Sequence, residues 1–391
     1  MNFLFAPDSF KGSLTALEIT RILERVTLRH FPDAHTRGVP VADGGEGTVE
    51  ALVTATRGQY RQCQVTGPLG DTVTATWGLL GGAKTAVLEM AQASGLPLTP
   101  PDRRDPRRTT TLGTGEMMRL AAQAGAEAML LGIGGSATND GGMGMLTALG
   151  ARFEDAQGHA LPPVGGNLGR VERVILDGLD ERVRGMDITV ICDVTNPLLG
   201  PEGATYVYGP QKGATPEICR ELEDGMRRYA EALSRAAGRD VARFAGAGAA
   251  GGLGAALGGV LGAKMRPGID AVLDAVGFDE LLKTADLVIT GEGRMDGQSV
   301  RFGKVPVGVA RRCQARGVAV LAVVGGLGEG AEGFYDTCLS ALQVTPDGPM
   351  SLEYAMQNAA RLYETAADRA LRAVKIGMRL SEKQQKNRAC P

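Results

Sequence analysis

Four short segments of this 391-residue chain set carboxylates, hydroxyls or cations among glycines, and a fifth sets a carboxylate and a hydroxyl at a strand end. They are DSFKGS at 8–13, DGGEG at 43–47, GGSATNDGG at 134–142, DVTN at 193–196, and a loop over 291–304 that opens GEGR and closes GK. Each follows an apolar run that reads as a strand. Any one of them has a plain reading as a tight turn, because Gly, Asp, Asn and Ser favour turns for local reasons. Five of them at strand ends point to a shared site, and the chemistry they suit is phosphate handling. Backbone N–H groups at Gly134 and Gly135 and the hydroxyls of Ser136 and Thr138 are placed to bind phosphate oxygens ahead of a helix expected over 144–150. Lys11, Lys212, Arg294 and Lys304 sit in or beside glycine loops, where cations clamp phosphoryl charge. Asp43, Glu46, Asp193, Glu292 and Asp296 supply carboxylates for Mg²⁺, which takes only one or two protein carboxylates and keeps waters. A carboxylate is also needed to accept or orient the proton of an attacking hydroxyl.

Composition narrows the function classes. A net charge of −2 leaves no electrostatic footprint for nucleic acid or an anionic membrane. The six cysteines show no metal-ligand spacing and read as free thiols of a reducing cytoplasm. Three scattered histidines leave proton transfer to Asp, Glu or Lys. Residues 1–5 lack the basic start of a signal peptide and read as a first strand. The uncharged stretch 244–263 has the length of a membrane span, but eight of its twenty residues are glycine, which argues against insertion.

Motif matches exclude more than they assign. The G-x-x-x-x-G-K-[ST] phosphate loop is absent, since Lys304 is followed by Val305. Residues 246–251 fit G-x-G-x-x-G and 132–137 fit G-x-G-x-x-A, which keeps an NAD(P)-dependent oxidoreductase as the rival enzyme class. The first match follows no convincing strand, and the Asn139-Asp140 pair beside the second is unusual in a dinucleotide loop. A sensor without catalysis would be expected to lack the loop charges, and here they are present.

The elements that must position these residues alternate at both ends of the chain. A strand over 2–6 leads to a helix over 14–29 with Ser13 available as its cap, then a strand over 36–40 and a helix over 48–55. Residues 59–65, 72–79 and 84–89 read as consecutive strands of antiparallel or mixed sheet. Later come a helix over 115–124, strands over 128–133 and 188–192, and a long amphipathic helix over 216–237. A β-α-β rhythm returns with strands at 287–290 and 318–324, a helix at 306–316 and a closing helix at 351–374. This predicts a parallel-sheet domain interrupted by an inserted domain: 1–65 with 285–378, around 66–284, and a polar frayed tail over 379–391. The glycine–alanine run reads as a close-packed helix and loop near the inter-domain cleft.

The loops, taken together, resemble the type I family of bacterial glycerate kinases. The matching segments are APDSFKGS at 6–13, VADGGEGT at 41–48, GIGGSATNDGG at 132–142, CDVTNPLLG at 192–200, GPQKGA at 209–214 and GAGAAGGLG at 246–254. The last is TGEGR at 290–294, running through Gln298 and Ser299 to Gly303 and Lys304. The resemblance covers about residues 1–375. It implies an α/β protein of two domains, a flavodoxin-like parallel-sheet domain built from both chain ends and an inserted mixed α/β domain. It also implies ATP-dependent phosphorylation of D-glycerate, usually at the 2-hydroxyl, with the 3-hydroxyl as the alternative, in glyoxylate and glycolate metabolism.

The roles expected on that footing are these. ATP·Mg²⁺ and D-glycerate meet in the cleft between the domains of a cytoplasmic enzyme, and a homo-oligomer stays open. Asp193 is the base, and Lys11 and Arg294 hold the glycerate carboxylate or the transferring group. Asp8, Ser9, Asn196, Lys212 and Glu292 bind substrate. Gly134, Gly135, Ser136, Thr138, Asn139 and Asp140 bind the nucleotide, and Asp43, Glu46 and Asp296 the metal.

Overall fold

The computed structural model describes residues 1–389 apart from 83, 298, 300–302 and 336–338, with the backbone alone at 332 and 386–389. Of the expected features, Gln298, Cys338 and Cys390 lie outside the described residues. The chain divides into two units, Met1–Asp43 with Val272–Pro391, and Gly44–Ala271.

The first unit is built on five parallel strands. They are β1 (Asn2–Pro7), β2 (His35–Gly38), β11 (Leu287–Gly291), β12 (Ala319–Val324) and β13 (Ala341–Val344), numbered along the chain. Their spatial order is β2-β1-β11-β12-β13. This is the flavodoxin-like doubly wound order, in which the winding direction reverses between the first strand and its inner neighbour. Burial on both faces explains why β1 and β11 are nearly continuous apolar runs instead of alternating ones, with the buried Thr290 hydroxyl donating to the Ala6 carbonyl. Against β1 lies the helix Ala16–His30, whose Ile19, Ile22, Leu23 and Val26 share one core with Phe3, Phe5, Ile289 and Tyr363. Its cap is Thr15, two residues beyond the expected Ser13. The Glu18 N–H donates to Thr15 Oγ1 at 3.1 Å and the Thr15 N–H to Glu18 Oε2 at 2.9 Å, a reciprocal box that Ser13 has no Glu to complete.

The closing helix also differs from its expectation. It is two helices, Leu352–Gln357 and Ala359–Ala389, and the second runs on through most of the segment expected to fray. Its first turns bury Tyr363, Ala366, Ala367 and Leu371 in the first-unit core. His30 Nε2 and Asp368 Oδ1 meet at 2.7 Å, and Arg25 and Arg29 hold Glu364, so this helix is anchored by packing and by charge.

The second unit is a mixed sheet with its own core. It contains β3 (Gln59–Thr66), β4 (Thr72–Leu79), β5 (Thr85–Glu89), β6 (Ala128–Gly132), β9 (Asp187–Ile191) and β10 (Lys264–Arg266), while β7 (Arg152–Glu154) and β8 (Arg173–Ile175) form a separate antiparallel pair. The order is β10-β9-β6-β5-β4-β3, antiparallel from β3 to β5 and parallel beyond. The boundaries between units fall at 43/44 and 271/272 instead of 65/66 and 284/285. The reason is packing. The helix Thr48–Thr56 lies on β4 and β5, and β3 pairs along its whole length with β4. Conversely, Val272, Leu273 and Phe278 fall in the first unit, where Arg312 pairs with Asp274 and Asp279.

The glycine–alanine run forms the helix Ala249–Gly259, buried in the second unit. Ala250, Gly251 and Gly252 take left-handed φ of +53°, +67° and +89°. A Cβ on Gly251 would stand 2.0 Å from the Thr138 carbonyl oxygen, so this glycine permits backbone to touch backbone. The G-x-G-x-x-G match at 246–251 is therefore a packing device. Among the described residues no helix is long and apolar enough to cross a membrane.

Candidate active site

In a doubly wound sheet the loops that leave the strand ends on either side of the reversal open a crevice. In the first unit those loops begin with Asp8, after β1, and Glu292, after β11. The preceding residues Pro7 and Gly291 are register partners. Gly293 lets the two loops pass closely, since a Cβ there would stand 3.3 Å from Phe10 Cα. The crevice is a cavity of about 480 Å³. Its polar lining includes Asp8, Ser9, Lys11, Asp43, Glu292, Arg294 and Lys304, and an apolar wall comes from Leu352, Ala355, Met356 and Ala359.

Two carboxylates in this pocket are almost fully buried, Asp8 at 6% and Glu292 at 5% exposure. Burial pushes Asp8 up to about 7. The Asp43 charge adds to this and Glu292 adds less, while the Ser9 N–H, donating to Asp8 Oδ1 at 2.7 Å, and Lys11 oppose it. Burial likewise raises Glu292 to about 7, with the Ser299 hydroxyl and then Lys304 pulling down and Asp43 and Asp296 pushing up. Lys11 Nζ stands 3.8 Å from Asp43 Oδ2, and Arg294 Nε 4.0 Å from Asp296 Oδ2. The Lys11 and Arg294 side chains are mostly exposed, so those charges are available to an entering anion.

The second unit gathers another part of the expected set. Gly134 and Gly135 are exposed beyond β6. Behind them Lys212, 2% exposed, donates to Ser136 Oγ at 2.9 Å and to the Thr138 carbonyl at 2.6 Å. Burial lowers its ammonium to about 7, and Asp140 counteracts this. Lys212, which the sequence assigns to substrate, lies buried here with its ammonium tying the glycine loop. Asp140 is fully buried and accepts from the Thr111 N–H and hydroxyl, both at 2.8 Å, from Gly144 N–H at 3.1 Å and from Gly142 N–H at 3.2 Å. The helix expected over 144–150 is Met143–Ala148, and Asp140 with Thr111 Oγ1 takes up its first donors. That helix end is thus closed to a phosphate, which leaves the exposed Gly134 and Gly135. Thr138 and Asn139 are also fully buried, and Asn139 Nδ2 donates to Thr205 Oγ1 at 3.2 Å.

Asp193 and Asn196 follow β9. Asp193 Oδ1 accepts the N–H of Gly268, first residue of the helix Gly268–Ala275, at 2.7 Å. Both ends of the Asn196 amide are engaged: Nδ2 donates to the Glu202 carbonyl at 2.8 Å, and Oδ1 accepts the Tyr208 hydroxyl at 2.7 Å. These contacts shape the 193–208 loop.

The expected metal set does not assemble. Among the described residues no three of His, Cys, Asp and Glu are grouped to hold an ion. Asp43 and Asp296 belong to the first unit, each facing a cation, and Glu46 is an exposed residue of the second. A preformed carboxylate metal site does not fit these residues.

Three features escaped the sequence reading. Glu89, buried at the end of β5, accepts the Val49 N–H at 2.7 Å and so holds the start of the helix Thr48–Thr56; burial raises its carboxyl. A carboxylate closing an apolar run was the available signal, the same one that marked Asp193. Thr111, the partner of Asp140, and the apolar pocket wall at 352–359 carried no chemical signal at all.

Comparison with known proteins places the family and the fold. The family model described as the glycerate kinase family matches residues 3–375. A glycerate kinase of Bacillus subtilis (strain 168) is 47% identical over 376 residues, covering 96% of this chain and 98% of its own. A glycerate 2-kinase of Escherichia coli (strain K12) is 45% identical, covering 84% and 86%. The crystal structure of a protein assigned as glycerate kinase 2 from Salmonella typhimurium LT2 superposes with a TM-score of 0.89 at 46% identity, covering 97% of this chain and 99% of that one. Fold, loops and relatives converge: the chain belongs to the glycerate kinase family.

Proposed function

We propose that this enzyme transfers the γ-phosphoryl group of ATP to the 2-hydroxyl of D-glycerate, giving 2-phospho-D-glycerate and ADP. The observation that carries the reading is the first-unit pocket, where two buried carboxylates at the strand reversal stand with Lys11, Arg294 and Lys304 around a small cavity. A small hydroxy acid has the complementary chemistry. Its carboxylate suits the exposed cations, and its hydroxyls suit buried acceptors that need a donor. The 2-position is supported by the name of the E. coli relative.

Phosphoryl transfer asks little covalent chemistry of the protein, so positioning and charge dominate. Lys11 and Arg294 orient the acid through its carboxylate, and Lys304 adds positive charge near Glu292. In the second unit the exposed Gly134 and Gly135 offer backbone donors to the nucleotide phosphates, on a loop fixed by Lys212 and Asp140. Magnesium, where bound to the nucleotide, would supply positive charge to the transferring phosphates. A cytoplasmic location and small-molecule partners belong to the same proposal.

The test is ADP release on mixing ATP and D-glycerate, followed by phosphorus NMR of the product. A resonance coupled to the C2 proton is expected. Coupling to the C3 protons would make it a 3-kinase, and no D-glycerate-dependent ADP would defeat the proposal. Thermal-shift stabilisation by NAD(P) without any by ATP would favour the oxidoreductase class.

A further inference from the structure

The two buried carboxylates of the first-unit pocket are not equivalent. Asp8 Oδ1 accepts the Ser9 N–H at 2.7 Å and faces the Ser9 hydroxyl at 3.4 Å. Glu292, a residue of the pocket lining, has its Oε1 buried with no hydrogen bond of normal length among the described residues; the Ser299 hydroxyl, equally buried and unpartnered, is the neighbouring donor that pulls its proton affinity down. A buried acceptor left in that state carries an unmet desolvation penalty, which a donor from a bound molecule would remove. The acceptor substrate brings such a donor in its hydroxyl.

The location adds weight. Glu292 is the first residue beyond β11, rigidly set by the ladder to β1 and by the Gly325 N–H, which donates to its carbonyl at 3.0 Å. Asp193, the base expected from sequence, has committed Oδ1 to Gly268.

We infer that Glu292 Oε1 is the atom that takes the proton of the hydroxyl being phosphorylated. The inference rests on the reaction proposed above. In the step, the hydroxyl O–H bond breaks and its proton passes to Glu292. The hydroxyl oxygen bonds to the γ-phosphorus. The bond from that phosphorus to the β–γ bridging oxygen breaks, its electron pair leaving on ADP. The proton held by Glu292 goes to solvent once product departs. The Ser299 hydroxyl, Lys304, Asp43 and Asp296 act on the charge of Glu292, and Asp8, Lys11 and Arg294 share its pocket. Burial, with Asp43 and Asp296, sets the carboxyl at about 7, the range in which a base works best near neutral pH.

The experiment is kcat and KM for D-glycerate, at saturating ATP, across pH 5.5–9 in the parent, Glu292→Gln and Glu292→Asp, with melting curves for each. The parent should show an ascending limb in kcat with an apparent pKa near 7. Glu292→Gln should lose roughly 100-fold or more of kcat, keep KM within about threefold and lose the limb. Glu292→Asp should recover part of the rate, with the limb displaced. A Glu292→Gln enzyme that raises KM alone, or keeps both limb and kcat, overturns the inference, as does a limb lost in Asp193→Asn but retained in Glu292→Gln. If Glu292→Gln melts below assay temperature, the Asp variant decides: a displaced limb with reduced kcat supports the role, and an unchanged profile overturns it. A parent that never turns over D-glycerate overturns the proposed reaction itself, and the base with it.

Discussion

Asp8 and Glu292 leave adjacent parallel strands side by side: the residues before them, Pro7 and Gly291, are paired in register, and the Asp8 N–H donates to the Gly291 carbonyl at 2.9 Å. Two acidic side chains are thereby fixed by main-chain geometry at the point where the sheet reverses its winding. Their burial follows from the fold, and their shifted proton affinity follows from the burial.

That shift makes stability depend on pH in a definite direction. The ordinary values of 3.8 for Asp8 and 4.5 for Glu292 rise to about 7 in the folded chain. Over that interval the folded state binds more protons than the unfolded one. The stabilising contribution is complete below about pH 4 and is lost as pH climbs through 7. Asp8→Asn removes one of these groups. Melting temperatures from pH 4 to 8 should show the variant gaining on the parent up to about pH 7 and holding a constant lead beyond. A pH-independent difference would contradict the burial argument.

Lys212 carries the opposite sign. Its ordinary value of 10.5 falls to about 7, so the folded chain gives up a proton that the unfolded chain keeps. This contribution is complete above about 10.5 and is lost as pH falls through 7. Lys212→Met should fold, and should compare better with the parent at pH 6 than at pH 9 in chemical denaturation. It also frees Ser136 and Thr138, so calorimetric titration with ATP should weaken about tenfold or more. Unchanged affinity would show that the tie does not shape the nucleotide loop.

Asp140→Ala strands the Thr111, Gly142 and Gly144 donors in a buried place. A loss of about 3–5 kcal/mol in urea unfolding is expected. Aspartate as a direct phosphate contact would instead predict normal stability with altered nucleotide binding.

Two glycines with left-handed φ separate strain from collision. Gly47, at +91°, has nothing within 4 Å of a built Cβ, whereas at Gly251 the Thr138 oxygen stands 2.0 Å away. Gly47→Ala should cost about 1–2 kcal/mol and Gly251→Ala clearly more, measured by the same unfolding assay.

Much of this architecture was legible because its signals are local. Apolar runs such as 2–7 and 287–291, each ending in a carboxylate loop, marked the strands and the pocket residues Asp8 and Glu292 together. The discontinuous domain followed from the change in rhythm between the chain ends and the middle. What could not be read depends on burial. Asp140 and Lys212 look like ligand-facing residues in a glycine loop, and only packing shows that both are interior. The helix Thr48–Thr56 has the periodicity of either unit, and its placement on β4 and β5 decides the boundary. Ser13 and Thr15 are both good caps, and the Glu three residues on from Thr15 selects between them.

Lys11 and Arg294 offer the most direct test of the central claim that the first-unit pocket receives the acid. Both are exposed and, among the described residues, make long ion pairs at 3.8 and 4.0 Å, so removing them should leave melting temperature within about 2 °C. Measured as D-glycerate-dependent ADP release, Lys11→Ala and Arg294→Ala should each lower kcat/KM for D-glycerate about 100-fold or more. Kinetics equal to the parent in both variants, with the fold intact, would place the acid elsewhere.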